Sequence, residues 1–288
     1  MRSKHRCLLV LLTALNSLGA SYRTPNFIIE APDGKIAKKI GDKAETYRKE
    51  LALKWLGEEM PTWGRPCPLR VTISGSSGGA TEFAFDDGSI LSITMHIEGA
   101  PDRLLASVLP HEITHTVLAY YFRKPVPRWA DEGGAVLSED EEERAKHEKY
   151  AWTILQTPGR AMPLRRLLSL MEYPGDVMIL YAQGYSVSRF LIESSNRKIF
   201  LAFVAGGMDG DWDKACKKHF SYKTVEQMEE AWVKWMRAEK RKRQREAKQR
   251  RVEKEVELLT LEKHSSFPNS VWKPEEPGEP TEFGNQKN

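Results

Sequence analysis

The sequence predicts an α+β fold in which a mixed strand-and-helix half precedes a helical half. Three observations carry that reading. Short runs rich in β-branched and aromatic residues fill the stretch before Asp102, with one long amphipathic segment among them. From Asp102 onward apolar residues recur at helical spacing, and Pro or Gly clusters separate the segments. At 288 residues and 40% hydrophobic content, the chain can bury the core of one large or two small domains.

The elements follow in order. MRSKHRCLLVLLTALNSLGA has a basic start at Arg2, Lys4 and Arg6, an apolar run from Cys7 to Leu15, and small residues at Ser17, Gly19 and Ala20. That is the layout of a secretory signal peptide over residues 1–20, so the protein is expected to be secreted or periplasmic. The apolar run is about half of the roughly 20 residues a membrane span needs. An uncleaved N-terminal anchor is the alternative, and no other membrane contact is expected.

RTPNFIIEAP reads as a strand, and KIAKKIGDKAETYRKELALKWLGEEM as a helix with Ile36, Ile40, Ala44, Tyr47 and Leu51 on one face. PTWGRPCP ends it. LRVTIS is a short strand, GSSGGA a loop, and TEFAFDDGSILSITMHIEG two strands around Asp87 and Gly88. A helix then runs from Asp102 through LLASVLPHEITHTVLAYYF, with Pro110 inside it removing one backbone hydrogen bond and bending it. Pro125 and Pro127 hold an extended connection, so this α+β half spans residues 21–127.

Beyond it, WADEGGAVLSEDEEERAKHEKYAWTILQ reads as one helical stretch. PLRRLLSLMEY, DVMILYAQGYSVSRFLIES, RKIFLAFVAG and DWDKACKKHF continue the helical half over residues 128–222. A charged helix follows over 223–263. Residues 264–288, rich in Pro, Glu, Gly and Asn, are expected to be disordered.

The formal charge of +4 does not describe the body of the protein. Residues 237–254 alone carry ten Lys or Arg against three Glu, and the leader adds three cations, so the remainder is net acidic. No nucleic-acid partner is expected, and residues 237–254 read as an exposed charged helix. Outside the leader stand two cysteines, Cys67 and Cys216. An exported compartment permits a disulfide between them, and the spacing leaves their pairing open.

The chemistry lies in HEITHTVLAYYFRKPVPRWADEGGA, residues 111–135. His111 and His115, four apart on a helix, share one face and can address a single ion, with Glu112 beside the first. A hydrolytic zinc site takes three protein ligands and keeps one position open, so a third ligand is required. The HExxHxxGxxH solution fails because Leu118 and Tyr121 stand at the glycine and the last histidine. A glutamate from the following helix is the other common solution. Glu132 is the natural choice and Asp131 the fallback, within a strongly acidic stretch that reaches Glu143. Beside a ligand, Glu112 suits a general base. His96, His147, His219 and His264 show no partner pattern and receive no role.

These residues resemble the gluzincins, the peptidase MA-like zinc metallopeptidases. HEITH looks like their zinc helix, and Trp129, Glu132, Gly133 and Ala135 look like their W-x-x-E-G-x-A motif. YAQG, Tyr181 to Gly184, is similar to the Y-x-x-G of the aminopeptidase N branch, where the tyrosine hydroxyl supports the tetrahedral intermediate. Tyr185 lies one turn further on. The G-x-M-E-N segment of that branch has no counterpart, although GGATEF offers a glycine and a glutamate.

The resemblance implies a zincin-type, thermolysin-like catalytic domain with one Zn2+ ion on His111, His115 and Glu132. It further implies Glu112 as base, Tyr181 as oxyanion donor, a peptide or protein substrate, and an edge strand within residues 81–97 that pairs with it. The rival reading is a catalytically silent zinc protein that serves as a binding module.

Overall fold

The computed structural model describes residues 19–265. Of the expected leader, 1–20, residues 1–18 lie outside the described residues, as do 266–288 of the expected disordered tail, 264–288, whose first two residues end the C-terminal helix. The chain divides between Met236 and Arg237 into two compact units.

The first unit holds a five-stranded mixed sheet and most of the helices. The strands are β1 (Ala20–Arg23), β2 (Phe27–Ala31), β3 (Cys67–Ile73), β4 (Gly78–Asp86) and β5 (Ser89–Gly99), with α1 (Gly34–Leu56) between β2 and β3. Their order across the sheet is β1-β2-β3-β5-β4. The central β2, β3 and β5 are parallel, and β1 and β4 are antiparallel edges.

Alternation explains the layering. Phe27, Ile29 and Ala31, and Cys67, Leu69 and Val71, are buried, while Glu30, Pro68 and Arg70 at the alternate positions are exposed; Met95 and Ile97 of β5 are buried as well. α1 lays Ala37, Ile40, Ala44, Leu51 and Trp55 into the same core. It is started by the Asp33 carboxylate, which accepts from the backbone N–H of Lys35 and Ile36, and stopped by Gly57 at φ 82°.

RTPNFIIEAP holds β2 as expected, and its first residue, Arg23, ends a further strand, β1. Thr24, Pro25 and Asn26 form a turn, with Thr24 N–H donating to the Phe27 carbonyl at 2.9 Å, and β1 folds back on β2. The expected hairpin around Asp87 and Gly88 is present. Both residues have positive φ, 41° and 72°, as a tight turn between right-twisted strands requires.

After β5 come α2 (Pro101–Arg103), a π-helical turn over Leu104–Val108, and α3 (Leu109–Phe122). The disturbance expected at Pro110 therefore takes the form of a wide turn just before it. Leu109 N–H reaches back five residues to the Leu104 carbonyl.

The helical half comprises α4 (Arg128–Val136), α5 (Glu141–Gln156), α6 (Leu164–Leu168), α7 (Val177–Glu193), α8 (Arg197–Gly207), α9 (Trp212–Phe220) and α10 (Val225–Ser265), whose part beyond Met236 belongs to the second unit. The stretch read as one helix from Trp129 to Gln156 is two. Asp140 caps α5, accepting from Glu143 N–H at 3.0 Å, and three glutamates follow in the first turn, where the helix dipole favours them.

α4 and α7 pack closely because each presents a glycine to the other. A Cβ at Gly133 would collide with the Gly184 carbonyl, and one at Gly184 would lie 2.8 Å from the Trp129 carbonyl oxygen. Trp129 is fully buried, edge-on to Phe200, Phe203 and Trp212, and its indole N–H donates to the Leu168 carbonyl at 3.1 Å.

Cys67 in β3 and Cys216 in α9 are both buried and unpaired, which answers the open question of the disulfide. Burial pushes each thiol up to about 12, far from the reactive thiolate. No helix among the described residues is long and apolar enough to cross a membrane.

Candidate metal centre

α3 is buried along nearly its whole length, so its polar side chains must find partners inside the protein. Thr114 and Thr116 donate to the carbonyls of Pro110 and Ile113. His111, Glu112 and His115 have no such local outlet. They form a buried group whose ligand atoms all lie within 4.8 Å of one another and which can hold a metal ion.

Both imidazoles are fixed from behind. His111 Nδ1 lies 2.7 Å from a Glu139 oxygen and His115 Nδ1 2.7 Å from an Asp131 oxygen, which places each ring proton on Nδ1 and the lone pair on Nε2. Both Nε2 atoms face Glu132 Oε2, at 3.3 Å from His111 and 3.8 Å from His115. That oxygen is buried and has no hydrogen-bond partner, while Oε1 of the same carboxylate accepts from the Tyr173 hydroxyl.

A buried carboxylate oxygen left bare costs stability unless a cation sits against it. Two imidazole lone pairs converging on the same place complete a donor set of the His2Glu kind. Glu112 and Glu132 thus both border the ion position. Glu112 Oε2 accepts from the Thr81 hydroxyl at 2.6 Å and Glu132 Oε1 from that of Tyr173, so each carboxylate keeps one oxygen; the one on Glu132 is the buried oxygen without a partner.

Electrostatics agree with the geometry. Burial opposes protonation of both imidazoles, but Glu132 and Glu139 hold His111 well above the usual histidine range, and Asp131 and Glu132 bring His115 to about 9. Burial likewise opposes ionisation of Glu132, and the two histidines overcome it, holding the carboxyl below its ordinary range. The surroundings favour positive charge at this point, whether carried by protons or by an ion that displaces them.

Glu112 is set by β4. Thr81 anchors one oxygen, and the backbone of Gly79 passes so close that a Cβ there would stand 2.5 Å from the other. Gly79→Ala is therefore expected to fold, because only the end of a flexible side chain must move, and to displace the Glu112 carboxylate from its place beside the two histidines. Thermal melting and a metal titration on one preparation check this.

Of the two tyrosines in α7, Tyr181 reaches the site. Its ring stacks on His111 and on His147, each with centroids 6.2 Å apart, and burial together with the nearby Glu132 charge pushes its hydroxyl pKa well up. Tyr185 is buried behind, 6.3 Å from His147.

Two cavities flank the group. One of about 290 Å³ includes Gly78, Gly79, His111, Glu112, His147 and Tyr181 in its lining. The other, about 310 Å³, includes Thr81, Phe83, Phe85, His115, Asp131 and Met171.

Several residues here escaped sequence reasoning. Asp131, the fallback ligand, instead holds His115 from behind, and Glu139, visible only as an acid among acids, does the same for His111. Tyr173 and Thr81 lie on a loop and a strand with no helical register to α3. His147 was passed over because Glu139 lies in the turn before its helix, off any helical register with it, and Tyr181 is on another helix. Set against known proteins, the chain matches no family model and no curated protein.

Proposed function

We propose that this chain is a zinc-dependent peptidase of gluzincin type on a zincin-like catalytic domain. His111, His115 and Glu132 are the zinc ligands. The observation that carries the reading is the bare Glu132 Oε2 facing two imidazoles whose far nitrogens are each tied to a carboxylate.

Zinc, when bound there, supplies a Lewis acid and a lowered water pKa of about 7. The rest is done by the chain. Glu112, held by Thr81 at the border of the cavity, takes a proton from the attacking water and returns it to the leaving amine. The oxygen of water ends on the carbonyl carbon as the C–N bond breaks. The Tyr181 hydroxyl, a poor acid in this setting, keeps its proton and donates a hydrogen bond to the developing oxyanion.

The deciding experiment is metal analysis of the purified chain with a chelator-sensitive cleavage assay on mixed peptides. About one zinc per chain is expected, lost in His115→Ala. Zinc without cleavage would favour the binding-module reading, and full zinc retention by His115→Ala would remove the site altogether. Tyr181→Phe should lower kcat by on the order of 100-fold with zinc unchanged, whereas Tyr185→Phe, behind the cavity wall, should do little. A reversed pair of effects would show that the hydroxyl donor has been placed one turn out.

A further inference from the structure

We infer that the stretch between α6 and α7, residues 169–176, is a latch on the metal centre: Tyr173 holds Glu132 from the surface, and Arg128 holds the latch shut. Both are positioning residues, which set how tightly the ion is kept. The inference rests on the metal-site part of the reading above and not on cleavage.

Glu132 needs such a hold. Of its two oxygens, Oε2 faces the imidazoles. Oε1 accepts from the Tyr173 hydroxyl, and a bond to an ionised acceptor is among the stronger kind. That bond stops the carboxylate from turning and keeps Oε2 aimed between the histidines. Yet Tyr173 does not belong to the core that buries Glu132. The glutamate is 2% exposed and the tyrosine 47%, on a stretch outside any helix or strand. A buried group is thus fixed by a hydroxyl that reaches in from outside.

Arg128, in the first turn of α4, keeps the tyrosine in place. Its backbone N–H donates to the Leu170 carbonyl at 2.8 Å and its Nε to the Met171 carbonyl at 3.2 Å. The guanidinium lies over the Tyr173 ring, 4.4 Å from the centroid. A planar guanidinium can stack and donate at once, which an ammonium cannot. Arg128 Nη1 is also 3.6 Å from Asp131 Oδ2, and Oδ1 of the same carboxylate is on the His115 ring. Arg128, Asp131 and Glu132 stand at i, i+3 and i+4, on one face of α4. One arginine therefore touches the outer partners of both Glu132 and His115.

The far end of the stretch is held lightly. A Cβ at Gly175 would meet nothing within 4 Å, and Asp176 is tied by an ion pair to Arg160 that is exposed on both sides. Opening the latch breaks few bonds and uncovers little of the core, so it is a local event. His111, by contrast, is held by Glu139, beyond the end of α4 and off this path.

Zinc affinity of the apo full chain, titrated against a chromogenic chelator, reads the latch without any substrate. Tyr173→Phe keeps the ring under the guanidinium and removes only the hydroxyl, and should weaken zinc about tenfold or more, the range typical for outer partners of metal ligands. Cobalt(II) in place of zinc should show a changed visible spectrum in this variant, because a carboxylate free to turn alters the ligand field. Arg128→Met, which keeps the stem, and Arg128→Lys, which keeps the charge beside Asp131, should each weaken zinc too. Adding Tyr173→Phe to either should cost less than about threefold more, since the latch is already loose. Adding Glu139→Gln to Tyr173→Phe should instead multiply the two losses, because they act on different side chains by separate routes. An affinity of Tyr173→Phe within about twofold of wild type, or the same full loss on adding it to the arginine variants, overturns the inference. Zinc bound with these couplings but no peptide cleaved keeps the latch and rejects the peptidase reading, and a wild-type chain that binds no zinc rejects both.

Discussion

Glu112→Gln is expected to keep its zinc and lose on the order of a thousandfold in hydrolysis, the range that a general base supplies. The substitution preserves the side chain's length and the hydrogen bond from Thr81, because an amide oxygen still accepts. It leaves His111, His115 and Glu132 with the carboxylates behind the two histidines untouched. What it removes is the capacity to take a proton. Metal content and turnover measured together decide the matter: equal turnover in variant and wild type would reject the mechanism, and loss of zinc would make Glu112 a ligand after all.

Gly133→Val should cost about 3 kcal/mol or more, at the upper end of overpacking effects, because the obstacle is backbone and not a side chain that can rotate away. A Cβ at Gly133 meets the Gly184 carbonyl and, at 2.7 Å, the Ser188 hydroxyl, so α4 and α7 must separate. Against a typical total stability of about 5–15 kcal/mol, that is a large fraction. Gly206→Ala is the control. It is also within a helix, but its Cβ would find ordinary contacts at 3.7 and 3.8 Å, and replacing a helical glycine should hold or raise stability. Denaturation midpoints of the two variants should therefore move in opposite directions or differ sharply, and equal midpoints would mean that the helices are not in backbone contact. Since Glu132 adjoins Gly133, the valine variant should also bind zinc more weakly.

The site was legible in part for a definite reason. His111, Glu112 and His115 lie within five residues on one helix, so local periodicity alone brings them together. The glycines of the WADEGGA and YAQG segments were visible as motifs, but their purpose was not: one faces the other across a helix contact 51 positions apart in sequence. The groups that tune the histidines are of the same kind. Glu139 and Asp131 come from α4 and the turn after it, and nothing in their own neighbourhood distinguishes them from Glu141 or Glu142. In the fold, alternation and turn residues located β2 to β5, but Gly78, Gly79 and Ala80, read as loop, open β4. β1 was missed because its four residues pair only along one edge and overlap the end of a segment read as a leader.

The wide turn at Leu104–Val108 has a consequence for how this architecture tolerates changes of length. One residue of α-helix is about 100° of rotation. The turn inserts roughly one residue between the sheet, which delivers the chain at Gly99, and the helix that carries His111 and His115. A single-residue deletion there would leave hydrophobic content almost unaltered and restore a regular helix, while swinging the histidine pair by about a quarter-turn from Glu132. Because Ile113, Val117 and Leu118 of the same helix would turn out of their places in the core together with the histidines, chain length in these five positions is held by packing and by the candidate site at once.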